Sequence, residues 1–202
     1  MLNKRLFGAL FALTLSTSVL AKVSIDKAAP DFTLTNSQGQ SVSLSDYKGK
    51  YVVLEWTNHL CPYVQKHYDS DNMQSLQRKY TADDVVWLSI ISSAPGKQGY
   101  VEPAEANRLT AERKALPSHV LFDPEGDTGK NYDAKTTPHM YIIDPQGQLR
   151  YAGGIDNIKS ANQADIPKAI NYLDAGMTAL LSGGEVENKL TAPYGCSIKY
   201  KS

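Results

Sequence analysis

Thiol chemistry in this 202-residue chain has to pass through Cys61, Cys196 or both, because these are its two cysteines. Cys61 stands in the run Asn58-His59-Leu60-Cys61-Pro62-Tyr63-Val64. Pro62 suits the first position of a helix, where a missing N–H costs nothing, so Cys61 falls at a helix N-terminus. Unpaired N–H groups and the positive end of the helix dipole favour thiolate there, and the thiolate is the nucleophile. His59 can add a charge or pass a proton, and Asn58 and Glu55 are further candidates for proton relay. The competing reading of Cys61 is a small buried apolar residue that caps the core.

Val64 occupies the place three residues after Cys61, so fast exchange within a two-cysteine motif is excluded. Cys196, in Pro193-Tyr194-Gly195-Cys196-Ser197, is the remaining thiol. It is either a resolving thiol for Cys61 or one half of a static bridge, and both need the two Cα atoms within about 7 Å. A third use is metal binding, with Cys61, His59 and His139 as weak candidate ligands for copper(I) or zinc. No paired-histidine helix or repeated cysteine motif supports it. His67, in mid-helix, reads as a surface residue; Trp56 and Trp87 read as core. Tyr63, Tyr68 and Tyr194 read as packing before they read as a substrate groove.

These residues need a scaffold. Residues 31–35 and 41–44 alternate around the Ser37-Gln38-Gly39-Gln40 turn, which predicts a hairpin. Residues 51–56 and 85–91 are apolar, β-branched and aromatic runs suited to buried strands. Between them Val64, Tyr68, Met73, Leu76 and Tyr80 mark one face of a helix, with a bend at 69–71. A helix over 103–115, strands at 119–122, 140–143 and 149–152, and a helix over 166–181 follow. The last helix rests on Ile166, Ile170, Leu173, Met177 and Leu180 at spacings of three or four. That order predicts an α/β fold with one mixed central sheet, helices on its faces and an N-terminal hairpin.

The ends read differently. Lys4 and Arg5, the apolar Leu6 to Leu13, and Val19 and Ala21 ahead of Lys22 have the layout of a cleaved secretory signal over residues 1–21. A domain over 22–182 and a tail over 183–202 carrying Cys196 complete the expected organisation, in the periplasm or outside the cell. Lysine plus arginine equal aspartate plus glutamate at 21 each, which leaves no electrostatic footprint for nucleic acid. No mature segment approaches the about 18 apolar residues of a membrane span.

Ala29-Pro30-Asp31-Phe32, Gly39-Gln40, Ser43 through Lys50, the Cys61 motif, Thr137-Pro138 and Tyr141 through Gly147 occur in one order. From about Ala29 to Ile155 that order resembles the thioredoxin-like superfamily, on its peroxiredoxin-like branch (the alkyl hydroperoxide reductase and thiol-specific antioxidant group, or redoxins). The resemblance implies a thioredoxin-like fold and a cis-proline at Pro138 facing Cys61. It implies that Thr137 and Pro138 offer backbone groups to an extended peptide or thiol partner. It also implies a thiol-based oxidoreductase with no organic cofactor, reduced by a protein or small thiol. Leu54 and Asn58 stand where a peroxiredoxin carries proline and threonine or serine, although Thr57 lies one position before Asn58. The leading expectation is an exported peroxiredoxin-like enzyme in which Cys61 attacks a peroxide and Cys196 resolves the sulfenic acid. The alternatives are thiol–disulfide exchange without peroxidase activity and non-catalytic metal binding.

Overall fold

A computed structural model describes residues 23–201; the expected signal segment lies outside the described residues. Strand β1 (Thr33–Asn36) and β2 (Ser41–Ser43) form the hairpin, and β3 (Val52–Trp56) follows a 3-10 turn. The expected single helix after Cys61 is two, α1 (Pro62–Asp69) and α2 (Asn72–Ala82), because Asp71 takes a left-handed φ of 60° between them. Next come β4 (Val86–Ile91), α3 (Pro103–Glu112), β5 (His119–Phe122) and the short α4 (Asp127–Asn131). Strands β6 (Thr136–Thr137), β7 (His139–Ile143) and β8 (Leu149–Gly153), helix α5 (Tyr172–Leu181) and β9 (Cys196–Ser197) complete the chain.

The main sheet has seven strands in the order β2-β1-β5-β4-β3-β7-β8. β3 pairs in parallel with β4, and β4 with β5; β3–β7, β7–β8 and β1–β5 are antiparallel. This is the mixed α/β sheet flanked by helices. Alternation along β3 sends Val53 to one core, with Val64, Tyr68, Met73, Tyr80, Leu173 and Met177 from α1, α2 and α5. It sends Val52, Leu54 and Trp56 to the other, with Phe32, Leu44, Tyr132 and Ile198. Both tryptophans are fully buried.

The final helix starts later than its spacing predicts. Residues 163–168 form a 3-10 turn containing Pro167, and Asn171 caps α5 by accepting from the Asp174 N–H at 2.9 Å. Ile170, read as part of the buried stripe, is 59 % exposed.

Beyond α5 the tail runs back over the domain. It bonds β8 through Lys189 and Thr191, pairs β9 with β6, and seats Tyr200 against Gly126 and Gly129. A Cβ on Gly129 would lie 2.3 Å from the Tyr200 hydroxyl, so that seat requires glycine. Among the described residues no helix is long and apolar enough to cross a membrane.

Candidate functional site

Cys61 is held from both sides. On the β3 side, Asn58 is 1 % exposed; its carbonyl accepts the Cys61 N–H at 3.0 Å and its Oδ1 accepts the Leu60 N–H at 2.9 Å. Gly99 packs on the Asn58 amide at a φ of +89°, where a Cβ would come within 2.4 Å. Asn58 thus shapes the loop that aims Cys61, and its recorded hydrogen bonds go to that loop and to Gln98, not to the sulfur. On the helix side, the Cys61 carbonyl accepts the N–H groups of Val64 and Gln65, and Pro62 fills the first position of α1.

The Cys61 sulfur is fully buried. Its S–H donates to the Thr137 carbonyl at 3.1 Å, and the Cys196 N–H donates to it at 3.4 Å. Burial is the largest influence on this thiol and opposes ionisation. Hydrogen bonds from the Cys196 and Thr137 side chains and from the N–H groups of Cys196 and Val64 outweigh it, so the net shift is downward. Cys196 is partly exposed and shifts the other way, to about 11, through burial first and the adjoining Cys61 second. Both thiols are free. The chain therefore sets a buried, acidified thiol beside a partly exposed, less acidic one.

The tail makes this pairing. Strand β9 lies antiparallel to β6 with Cys196 opposite Thr137, next to the cis Thr137–Pro138 bond. Gly195 has a φ of 139°, and a Cβ there would lie 2.0 Å from the Thr137 carbonyl oxygen. The backbone at Thr137, expected with Pro138 to be offered to an extended partner, is paired with the chain's own tail, as is that of Thr136.

One residue before Gly195, the Tyr194 hydroxyl donates to Asp156 Oδ1 at 2.5 Å. The other Asp156 oxygen faces Lys66 Nζ at 3.4 Å and His67 Nε2 at 3.8 Å, all three side chains being buried. Lys66 and His67 belong to the helix that Cys61 begins, so helix and tail meet on one carboxylate. His67 is consequently no surface residue: it is fully buried, bonded to Asn72 at 2.8 Å, and held neutral by burial, which lowers its pKa to about 4. Sequence reasoning missed Lys66 and Asp156, whose meeting depends on a separation of 90 residues that no local pattern encodes.

The remaining candidates point elsewhere. Glu55 is buried on β3 and accepts from Tyr68, Trp87 and Ser89 at 2.8–2.9 Å; Thr57 also bonds it, and burial raises its pKa. None of its recorded bonds reaches Cys61. His59 lines a separate cavity of about 50 Å³ with Thr57, Tyr68 and Arg113. Burial, then the Arg113 charge, lower its pKa, so it is neutral near pH 7 and supplies no positive charge to the thiol. His139 does not face Cys61: it stacks on Tyr141, which lies with Trp56 in the opposite core, and accepts the Lys135 N–H at 3.3 Å. Among the described residues no three His, Cys, Asp or Glu side chains gather as a metal site. Tyr68 and Tyr194 are buried and hydrogen-bonded, Tyr68 forming part of the wall of the His59 cavity.

The AhpC/TSA family model matches residues 25–152, a span that holds the Cys61 loop and the Thr137–Pro138 bond. The chain belongs to the AhpC/TSA family. Among solved structures it is similar to an uncharacterized conserved protein from Geobacillus kaustophilus. The two are 30 % identical with a TM-score of 0.77, over 88 % of this chain and 93 % of the other. Among curated proteins it is similar to the thiol-disulfide oxidoreductase ResA of Bacillus cereus, 26 % identical over 73 % of this chain and 86 % of that one. It is also similar to peroxiredoxin-2 of Mus musculus, 29 % identical over 62 % of this chain and 67 % of that one.

Proposed function

We propose that this family member is an exported thiol-dependent oxidoreductase that performs thiol–disulfide exchange, with Cys61 and Cys196 as its working dithiol. The observation that carries the reading is the contact itself: the Cys196 N–H rests on the Cys61 sulfur at 3.4 Å, with Cys196 held opposite Thr137 by the β-pairing of the tail. The similarity to a thiol-disulfide oxidoreductase over 86 % of that protein's length supports the same chemistry. The peroxide reading, first on the sequence, has less behind it. Thr57, the threonine nearest the peroxidatic position, lines the cavity beside His59, and Asn58 is committed to its loop.

The reaction balances simply. Two protein thiols and a partner disulfide RSSR give the Cys61–Cys196 disulfide and two RSH, and the reverse runs with a protein or small-molecule thiol as reductant. Thr137 and the Cys196 N–H hold the Cys61 thiolate, the better leaving group of the pair. Export is inferred from the signal-like pattern of residues 1–21.

The test compares the reduced protein's reaction with oxidised glutathione and with hydrogen peroxide, each by stopped flow. Exchange with glutathione that closes the Cys61–Cys196 bond, and that falls by about 100-fold or more in Cys61→Ser, is the expected result. Catalytic peroxide turnover without disulfide exchange would replace this reading with the peroxidase.

A further inference from the structure

The two sulfurs differ in what can reach them. Cys61 is 0 % exposed, and the Thr137 carbonyl and the Cys196 N–H both contact its sulfur. Cys196 is partly exposed, on the outer side of the same contact. The main-chain groups of Thr136 and Thr137 are paired with the tail, and Tyr194 and Tyr200 fasten that tail on both sides of Cys196. A partner approaching the folded protein therefore meets Cys196 first.

We infer that Cys196, rather than the motif cysteine Cys61, is the sulfur that bonds to the partner during exchange. This rests on the dithiol reading above and assigns its direction. An external thiolate RS⁻ attacks the Cys196 sulfur of the Cys61–Cys196 disulfide; the S–S bond breaks and its electron pair leaves on Cys61. The products are a mixed disulfide RS–S–Cys196 and the Cys61 thiolate. A second RS⁻ then attacks the partner sulfur, releasing RSSR and the Cys196 thiolate, and both protein thiolates take protons from solvent. The surroundings agree with the order of leaving: the bonds from the Cys196 and Val64 N–H groups receive the charge that develops on Cys61. Oxidation by RSSR retraces the same adduct. Cys61 then acts as an internal resolving thiolate, protected from direct contact with solvent oxidants and alkylators.

The experiment uses the full chain, oxidised and first shown by peptide mapping to contain the Cys61–Cys196 bond. It is mixed with reduced glutathione, quenched in acid over a series of times, denatured and alkylated, and the adduct is located by mass spectrometry. Glutathione on the Cys196 peptide, with alkylated Cys61, is expected in at least about ten-fold excess over the reverse. Adduct mainly on Cys61, equal labelling of both, or reduction with no adduct on Cys196 at any time would overturn the assignment while leaving the dithiol reading standing. Absence of the starting Cys61–Cys196 bond would instead sink that reading and this inference with it.

Discussion

Cys61 and Gly195 define the site at the scale of single residues. Gly195 lets the tail backbone pass against Thr137, since any Cβ there would overlap the carbonyl oxygen at 2.0 Å. Gly195→Ala is therefore expected to lift the tail and uncover Cys61, raising its alkylation rate by iodoacetamide about ten-fold or more. An unchanged rate would mean that the tail does not roof the sulfur. The chemistry of Cys61 was legible because a cysteine followed by proline at the end of a buried strand predicts a helix N-terminus by local rules. The burial of His67 was not legible. Its helix has the sequence PYVQKHYD, and nothing in that polar run announces that Lys66 and His67 face a carboxylate 90 residues away.

At the scale of elements, the site depends on the joint between α1 and the tail. Tyr194, Asp156, Lys66 and His67 make that joint inside the protein, and Tyr63 stacks edge-on with Tyr194 at 5.8 Å. Tyr194→Phe removes a buried hydroxyl that donates to Asp156 and touches His67 Nε2 at 3.5 Å, with an expected cost of about 1–3 kcal/mol in urea unfolding. The same variant is expected to slow closure of the Cys61–Cys196 bond, followed as loss of free thiols by quenched-flow alkylation. Long strands and the helices with clear periods were readable from the sequence. The two-residue strands β6 and β9 were not, because pairs so short carry no alternation, yet they bring the cysteines together. The short α4 was invisible for the same reason, and α5 was extended wrongly across Pro167 because Ile166 and Ile170 happen to match its spacing.

For the whole molecule, buried neutral histidines tie stability to pH. His67 titrates near its ordinary value of about 6.5 when unfolded but at about 4 when folded, with burial as the main cause; Asp156 opposes this shift and Lys66 adds to it. Above about pH 6.5 the residue is neutral in both states and its contribution is intact. As pH falls from there toward 4 the unfolded chain binds the proton first, so stability is lost, by up to roughly 3 kcal/mol. His139, lowered to about 3 by burial, adds in the same direction. His67→Gln is expected to flatten the fall in urea midpoint between pH 6.5 and 4 relative to wild type; parallel curves would contradict the assignment. Glu55 supports the same core differently. Glu55→Ala leaves the Trp87 indole N–H and the Tyr68 and Ser89 hydroxyls without their acceptor, and should cost several kcal/mol in the same assay.

The overall architecture was readable because buried parallel strands, amphipathic helices and turn residues agree locally with the final sheet, whereas the tail's path is written only in distant contacts. That path makes the central claim testable in one titration. The protein is equilibrated in glutathione buffers of graded potential, quenched in acid, and the Cys61–Cys196 bond is quantified by peptide mapping at two protein concentrations. A single reversible two-electron transition at a midpoint independent of protein concentration is the predicted result. Two thiols that remain free across the whole range, or disulfides that form only between chains, would contradict the account.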